Sequence, residues 1–142
     1  MGKERTEVFP ARYESLAAID RFVADAAEEV GFDEGTVYLV RLAVDEACSN
    51  IITHAYGGEG RGEIECSCQT NEDDLTVVLR DQGQPFDPES VPPPNLSDDL
   101  EQRTEGGLGL YFIRKIMDEV DFDFESEAGN VLIMVKHKKN AG

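Results

Sequence analysis

The chain has no tryptophan, few basic residues and no long apolar run. Thirteen Lys and Arg against thirty Asp and Glu leave a formal charge of −17. Such a surface repels nucleic-acid phosphates and anionic lipid, so neither is expected as a direct partner. A membrane-crossing helix takes about 20 consecutive apolar residues, and no stretch approaches that length. The three cysteines, an odd number, and the lack of a basic-plus-apolar leader at Met1-Gly2-Lys3-Glu4 point to a reducing, cytoplasmic setting. Cys66 and Cys68 share one strand face and read as small core residues; with only His54 and His137 beside them, a zinc site lacks ligands. Two phosphate-binding signatures are also missing: G-x-x-x-x-G-K-[ST], and a strand followed by glycines at dinucleotide-binding spacing.

What is present suits one domain over residues 1–142, with 40 % hydrophobic residues to fill a core. Glu7-Val8-Phe9-Pro10 reads as a short first strand. Ser15 is placed to cap a helix to Val30, with Leu16, Ile19, Phe22, Val23, Ala26, Ala27 and Val30 on one stripe. Asp33 caps a second helix running to about Ala55 or Tyr56. Its core stripe is Val37, Val40, Val44, Ala47, Ile51 and Ala55. A neighbouring line of Leu39, Ala43, Glu46, Asn50, Thr53 and His54 mixes small, apolar and polar groups, as a cavity floor does. Strands at about 62–69 and 75–80 form a hairpin. Residues 84–105, rich in proline and acid, are too long and irregular for an ordinary connection and read as a functional lid. A third helix starts at the glycines after this segment, and a last hairpin turns at Ala128-Gly129-Asn130. Lys136-His137-Lys138-Lys139 reads as a solvated basic tail.

Three polar patches carry chemistry. Glu46 and Asn50 lie one helical turn apart on one side. A carboxamide oxygen can hold magnesium beside phosphates without adding charge, and a nearby carboxylate off the metal can take a proton. Asp81 ends an apolar strand; a carboxylate buried there needs a donor such as the exocyclic amine of adenine, and Gly83 lets backbone pass close to a flat base. Gly106, Gly107, Leu108 and Gly109 open a helix with bare amides, which suit phosphate. Alone, each pattern is common on ordinary surfaces, turns and hinges. Their order and placement give them joint meaning.

The runs DEACSNIITHAY (Asp45 to Tyr56), DQGQPFDP (Asp81 to Pro88) and GGLGLYFIRKIMDEV (Gly106 to Val120) resemble the three nucleotide boxes of the gyrase/histidine-kinase/heat-shock-chaperone ATPase superfamily. They are most similar to its small bacterial branch, the anti-sigma factor serine/threonine kinases. The resemblance implies a two-layer α/β sandwich, with a mixed, mostly antiparallel sheet covered on one face by about three helices. It implies ATP and Mg²⁺ as ligands. Glu46 matches the general base, Asn50 the magnesium ligand, Asp81 the adenine-binding aspartate, Gly83 its companion, and Gly107 and Gly109 the glycines beneath the phosphates. Arg103, in the lid, is within the segment that reaches phosphate. Pro85 departs from the pattern: much of the superfamily has glycine there, which leaves the lid's pivot open. The implied partners are a STAS-type anti-sigma factor antagonist as phosphoacceptor, a sigma factor, and a second copy of the chain as a homodimer. Two other readings stay open. One is a nucleotide-gated partner switch without kinase activity, against which the intact Glu46–Asn50 pair argues. The other is a histidine-kinase catalytic domain acting in trans, against which the lack of a preceding phosphoacceptor helix pair argues.

Overall fold

Alternating apolar residues in the strands and helical stripes beside them build a two-layer α/β sandwich. A computed structural model describes residues 2–85, 113–123 and 129–138. The order is β1 (Lys3–Pro10), a 3₁₀ turn (Tyr13–Ser15), α1 (Leu16–Val30), α2 (Glu34–Asn50), a π-helical turn (Ile51–Ala55), β2 (Glu63–Thr70), β3 (Asp74–Asp81), β4 (Glu119–Asp123) and β5 (Asn130–His137). Residues 113–116 are helical as well. The strands form one sheet in the order β1-β2-β3-β5-β4, and every described pairing is antiparallel. β3 is therefore central, flanked by two strands on either side.

The register explains why the helices lie on one face. Cys66 and Cys68 of β2 pair with Leu79 and Val77 of β3, which pair in turn with Leu132 and Met134 of β5. All six are buried in one core with Ile19, Val23 and Ala27 of α1 and Val40, Val44 and Ala47 of α2. Burying one Val, Leu or Ile side chain contributes about 1.5–3 kcal/mol. An exposed ion pair such as Arg5–Glu29 contributes about 0–1 kcal/mol. The apolar joint, not the surface charges, holds the layers together. The three cysteines are free and buried, and burial pushes the Cys48 thiol far up, so they serve as core.

Three local expectations need correcting. β1 begins at Lys3, not Glu7, because its polar half pairs in full register with β2, from Lys3 opposite Thr70 onward; ladder bonds carry residues whose composition is not strand-like. Ser15 does not cap α1 with its side chain. The 3₁₀ turn has already begun at Tyr13, leaving Ser15 itself helical at φ −74°. Asp33 does cap α2, accepting from the Thr36 amide at 2.7 Å. Of the basic tail, His137 and Lys138 are exposed as expected and Lys139 lies outside the described residues. The side chains of Lys136, His137 and Lys138 nonetheless also tie elements together. Lys136 Nζ donates to the Ile116 carbonyl at 2.6 Å and Lys138 Nζ to that of Val30 at 3.2 Å. His137 bridges Asp74 at 2.6 Å and Glu119 at 2.9 Å, and these carboxylates raise its pKa, Asp74 the more.

Between α1 and α2 lies a polar contact. Asp20 Oδ1 and Asp45 Oδ1 are both buried and have no hydrogen-bond donor among the described residues. Two carboxyls can bond each other only through a shared proton. Burial first, then the hydrogen bond and negative charge of Asp20, push the Asp45 carboxyl up to about 8, with Arg41 opposing and Glu46 adding to the rise. The protonated form of Asp45 is thereby favoured. Beyond α2, Tyr56 fastens the helix end to the sheet: its hydroxyl donates to the Glu63 carbonyl at 2.7 Å and accepts from the Gln82 amide at 2.9 Å.

A group whose folded pKa is raised stabilises at low pH and loses that contribution as pH climbs from its unfolded pKa through the folded one. For Asp45 the window runs from the ordinary carboxylate range to about 8. Asp45→Asn keeps a donor toward Asp20 and carries no titrating proton. Urea midpoints should therefore change less across that window than in the wild-type chain, with the variant the more stable at pH 9. Tyr56→Phe removes both hydroxyl bonds and should lower unfolding stability by about 1–2 kcal/mol, read by the same denaturation.

Candidate functional site

The apolar line of α2 fixes where its polar residues go. With Val40, Val44 and Ala47 turned into the core, Glu46 and Asn50 are half-buried at the border between core and solvent. One turn separates them, and both sit on a rigid element. Asn50 is the last α-helical residue. The chain then winds wider, with the Tyr56 amide donating to the Ile51 carbonyl at 3.0 Å and the Gly58 amide to that of Ile52 at 2.9 Å. Such π-turns inside helices recur at functional sites. Thr53 is half-buried and His54 exposed.

β3 delivers the second patch. Leu75, Val77 and Leu79 face the helices, and the same period of two places Asp81 on that face at 4 % exposure. A bare carboxylate there is costly. Its Oδ1 accepts from the Gly83 amide at 2.9 Å and from Asn130 Nδ2 at 2.9 Å. Burial pushes the Asp81 carboxyl above the usual range, while these two bonds pull it back down.

The loop after Asp81 lies directly on the end of α2. The Gln84 amide donates to the Ala55 carbonyl at 2.7 Å. A Cβ on Gly83 would sit 2.6 Å from the Ala55 carbonyl carbon and oxygen, so only glycine permits this approach. Helix end and strand end thereby form one wall, to which α2 brings Asn50 and the end of β3 brings Asp81 and Gly83. Asp81 offers a buried acceptor here, and no side chain projects from Gly83. Arg103, Gly106, Gly107, Leu108 and Gly109 lie outside the described residues, as does the lid beyond Pro85. Among the described residues no group of three or more His, Cys, Asp or Glu is placed to hold a metal, and no helix is long and apolar enough to cross a membrane.

Asn130, Tyr56 and Asp45 were not singled out from sequence. Asn130 opens β5 directly across from Asp81, a pairing no local pattern reveals. Its only sequence sign is the preceding Gly129, at φ +97°, where a Cβ would meet the Asp81 carbonyl oxygen at 2.3 Å.

The family model of the histidine kinase-like ATPase domain matches residues 9–136. Among curated proteins, the serine-protein kinase RsbW of Bacillus velezensis is 33% identical over 132 residues, covering 90% of this chain and 81% of that protein. RsbW of Halalkalibacterium halodurans is 35% identical over 131 residues, covering 89% of this chain and 78% of that protein. RsbW of Bacillus subtilis is 32% identical over 132 residues, covering 90% and 81%. The matched span contains α1, α2, the wall formed by Asn50, Ala55, Asp81 and Gly83, and the glycine run Gly106 to Gly109. This chain belongs to the histidine kinase-like ATPase domain family, in its anti-sigma factor serine kinase branch.

Proposed function

We propose that this chain transfers the γ-phosphoryl group of ATP to a serine or threonine hydroxyl of a STAS-type anti-sigma factor antagonist, and that it restrains a sigma factor when not so engaged. The observation that carries the reading is the wall itself: Ala55 and Gln84 bonded at 2.7 Å, with a carboxylate–carboxamide pair on one side and a buried aspartate on the other.

Each residue has a distinct task. Asp81 accepts from the adenine amine, and Gly83 leaves room for the base. Glu46 takes the proton from the attacking hydroxyl. Asn50 supplies an oxygen to Mg²⁺, which when bound offsets negative charge on the phosphates. Arg103 and the run Gly106, Gly107, Leu108 and Gly109 are assigned to the phosphates, through a guanidinium and bare amides respectively. The transferred group brings about −1.5 to −2 charges to the antagonist. Repulsion from a chain of net charge −17 then favours release. The serine-protein kinases named above support this reading. A homodimer, a cytoplasmic location and the sigma factor as second partner are parts of the same proposal.

Incubation with labelled ATP and a STAS-type antagonist tests it. Glu46→Ala should lower phosphotransfer by about 10²–10⁴-fold with little loss of nucleotide affinity; equal transfer by variant and wild type rules out Glu46 as the base. Asn50→Ala should abolish the magnesium dependence of ATP binding measured by calorimetry, and a retained dependence removes Asn50 as the ligand. Transfer to no STAS-type protein, despite tight ATP binding, would leave a nucleotide-gated switch in place of a kinase.

A further inference from the structure

We infer that Asn130 is a positioning residue that locks the Asp81 carboxylate as a pure acceptor and so sets the preference for adenine over guanine. The inference rests on the assignment of Asp81 to the base given above.

Asp81 and Asn130 are cross-strand partners at the ends of β3 and β5. Asn130 Nδ2 donates to Asp81 Oδ1 at 2.9 Å and to the Gly83 carbonyl at 3.1 Å. Both of those atoms are acceptors only, so the amide nitrogen, not the oxygen, must face them. One side chain therefore holds both ends of the Asp-x-Gly turn. The Gly83 amide falls on the same Oδ1. Asn130 is itself buried, at 5 % exposure, and Gly129 before it is what lets β5 begin so close to Asp81. Two donors converge on Oδ1, and Oδ2 is the acceptor assigned to the base.

The consequence for recognition is chemical. An ionised carboxylate only accepts, so it matches the amine of adenine and repels the carbonyl that guanine presents at the same ring position. A protonated carboxyl donates and loses that discrimination. Burial favours the protonated form at Asp81; Asn130 and the Gly83 amide are the groups that oppose it. Around Asp81, β2 contributes Ile64, β5 contributes Asn130, and the helix end packed on its loop contributes Ala55, all uncharged. Among the described residues no charged side chain acts on its ionisation, which leaves Asn130 as the principal side-chain control.

The test measures ATP and GTP affinities with magnesium, on the full chain from pH 5 to 9, for wild type, Asn130→Ala, Asp81→Asn and the double variant. In Asn130→Ala the ATP-to-GTP affinity ratio at pH 7 should fall about tenfold, and the pH below which the preference disappears should move upward. The ratio does not depend on the folded fraction, because unfolded chain binds neither nucleotide. In the Asp81→Asn background, adding Asn130→Ala should change the ratio no further, as expected of a residue acting through Asp81. Equal loss of ATP and GTP binding, an unmoved pH profile, or the same cost in both backgrounds would overturn the role of Asn130 and leave the Asp81 assignment standing. Wild-type ATP affinity and preference in Asp81→Asn would instead overturn that assignment, and the Asn130 role with it.

Discussion

The seating of the loop after β3 on the last turn of α2 governs this molecule. A 2.7 Å bond from the Gln84 amide to the Ala55 carbonyl, and a glycine at 83 that leaves no room for a side chain, join two elements that sequence separates by some thirty residues. Neither element has a site alone. α2 offers a carboxylate and a carboxamide on a half-exposed face; β3 offers a buried aspartate. Tyr56 reinforces the joint by gripping Glu63 and Gln82 with one hydroxyl. Precision at the site then derives from the core beneath it, which Val44 and Ala47 of α2 share with Val77 and Leu79 of β3.

Electrostatics is arranged around that joint in an uneven way. Most of the acidic excess is spread over exposed surface, where water screens it. Charge is more tightly managed near α2. Burial and Asp20 push the Asp45 carboxyl up, and Asp81 accepts from two donors. Burial raises both carboxyls: Asp20 adds to the rise at Asp45, while two donors oppose it at Asp81. Buried carboxyls with raised pKa values are characteristic of sites that handle protons and charged ligands.

Much of this was legible in the chain. The period-two pattern of Val77 and Leu79 and the 3.6-residue stripe of α2 give the layers, and the spacing of Glu46 and Asn50 places them together. Asp33 announces its cap. What could not be read depends on pairing across distance. Asn130 matters because register sets it opposite Asp81, and register belongs to two strands at once. The Asp20–Asp45 contact needs the packing of α1 on α2; in sequence each is one acid among thirty. The chain end shows the same limit. Lys136, His137 and Lys138 resemble a frayed basic tail until their acceptors, carried by the 116–119 segment, by Val30 and by Asp74, come into place.

The π-helical turn between Asn50 and Tyr56 has a consequence for how the family can vary. Regular α-helical winding advances about 100° per residue, and the wider turn absorbs one extra residue without displacing the chain beyond it. Losing a single residue between Ile51 and Ala55 would restore ordinary winding and swing the aromatic grip and the docking carbonyl to another bearing. Length is therefore what the geometry of this stretch constrains.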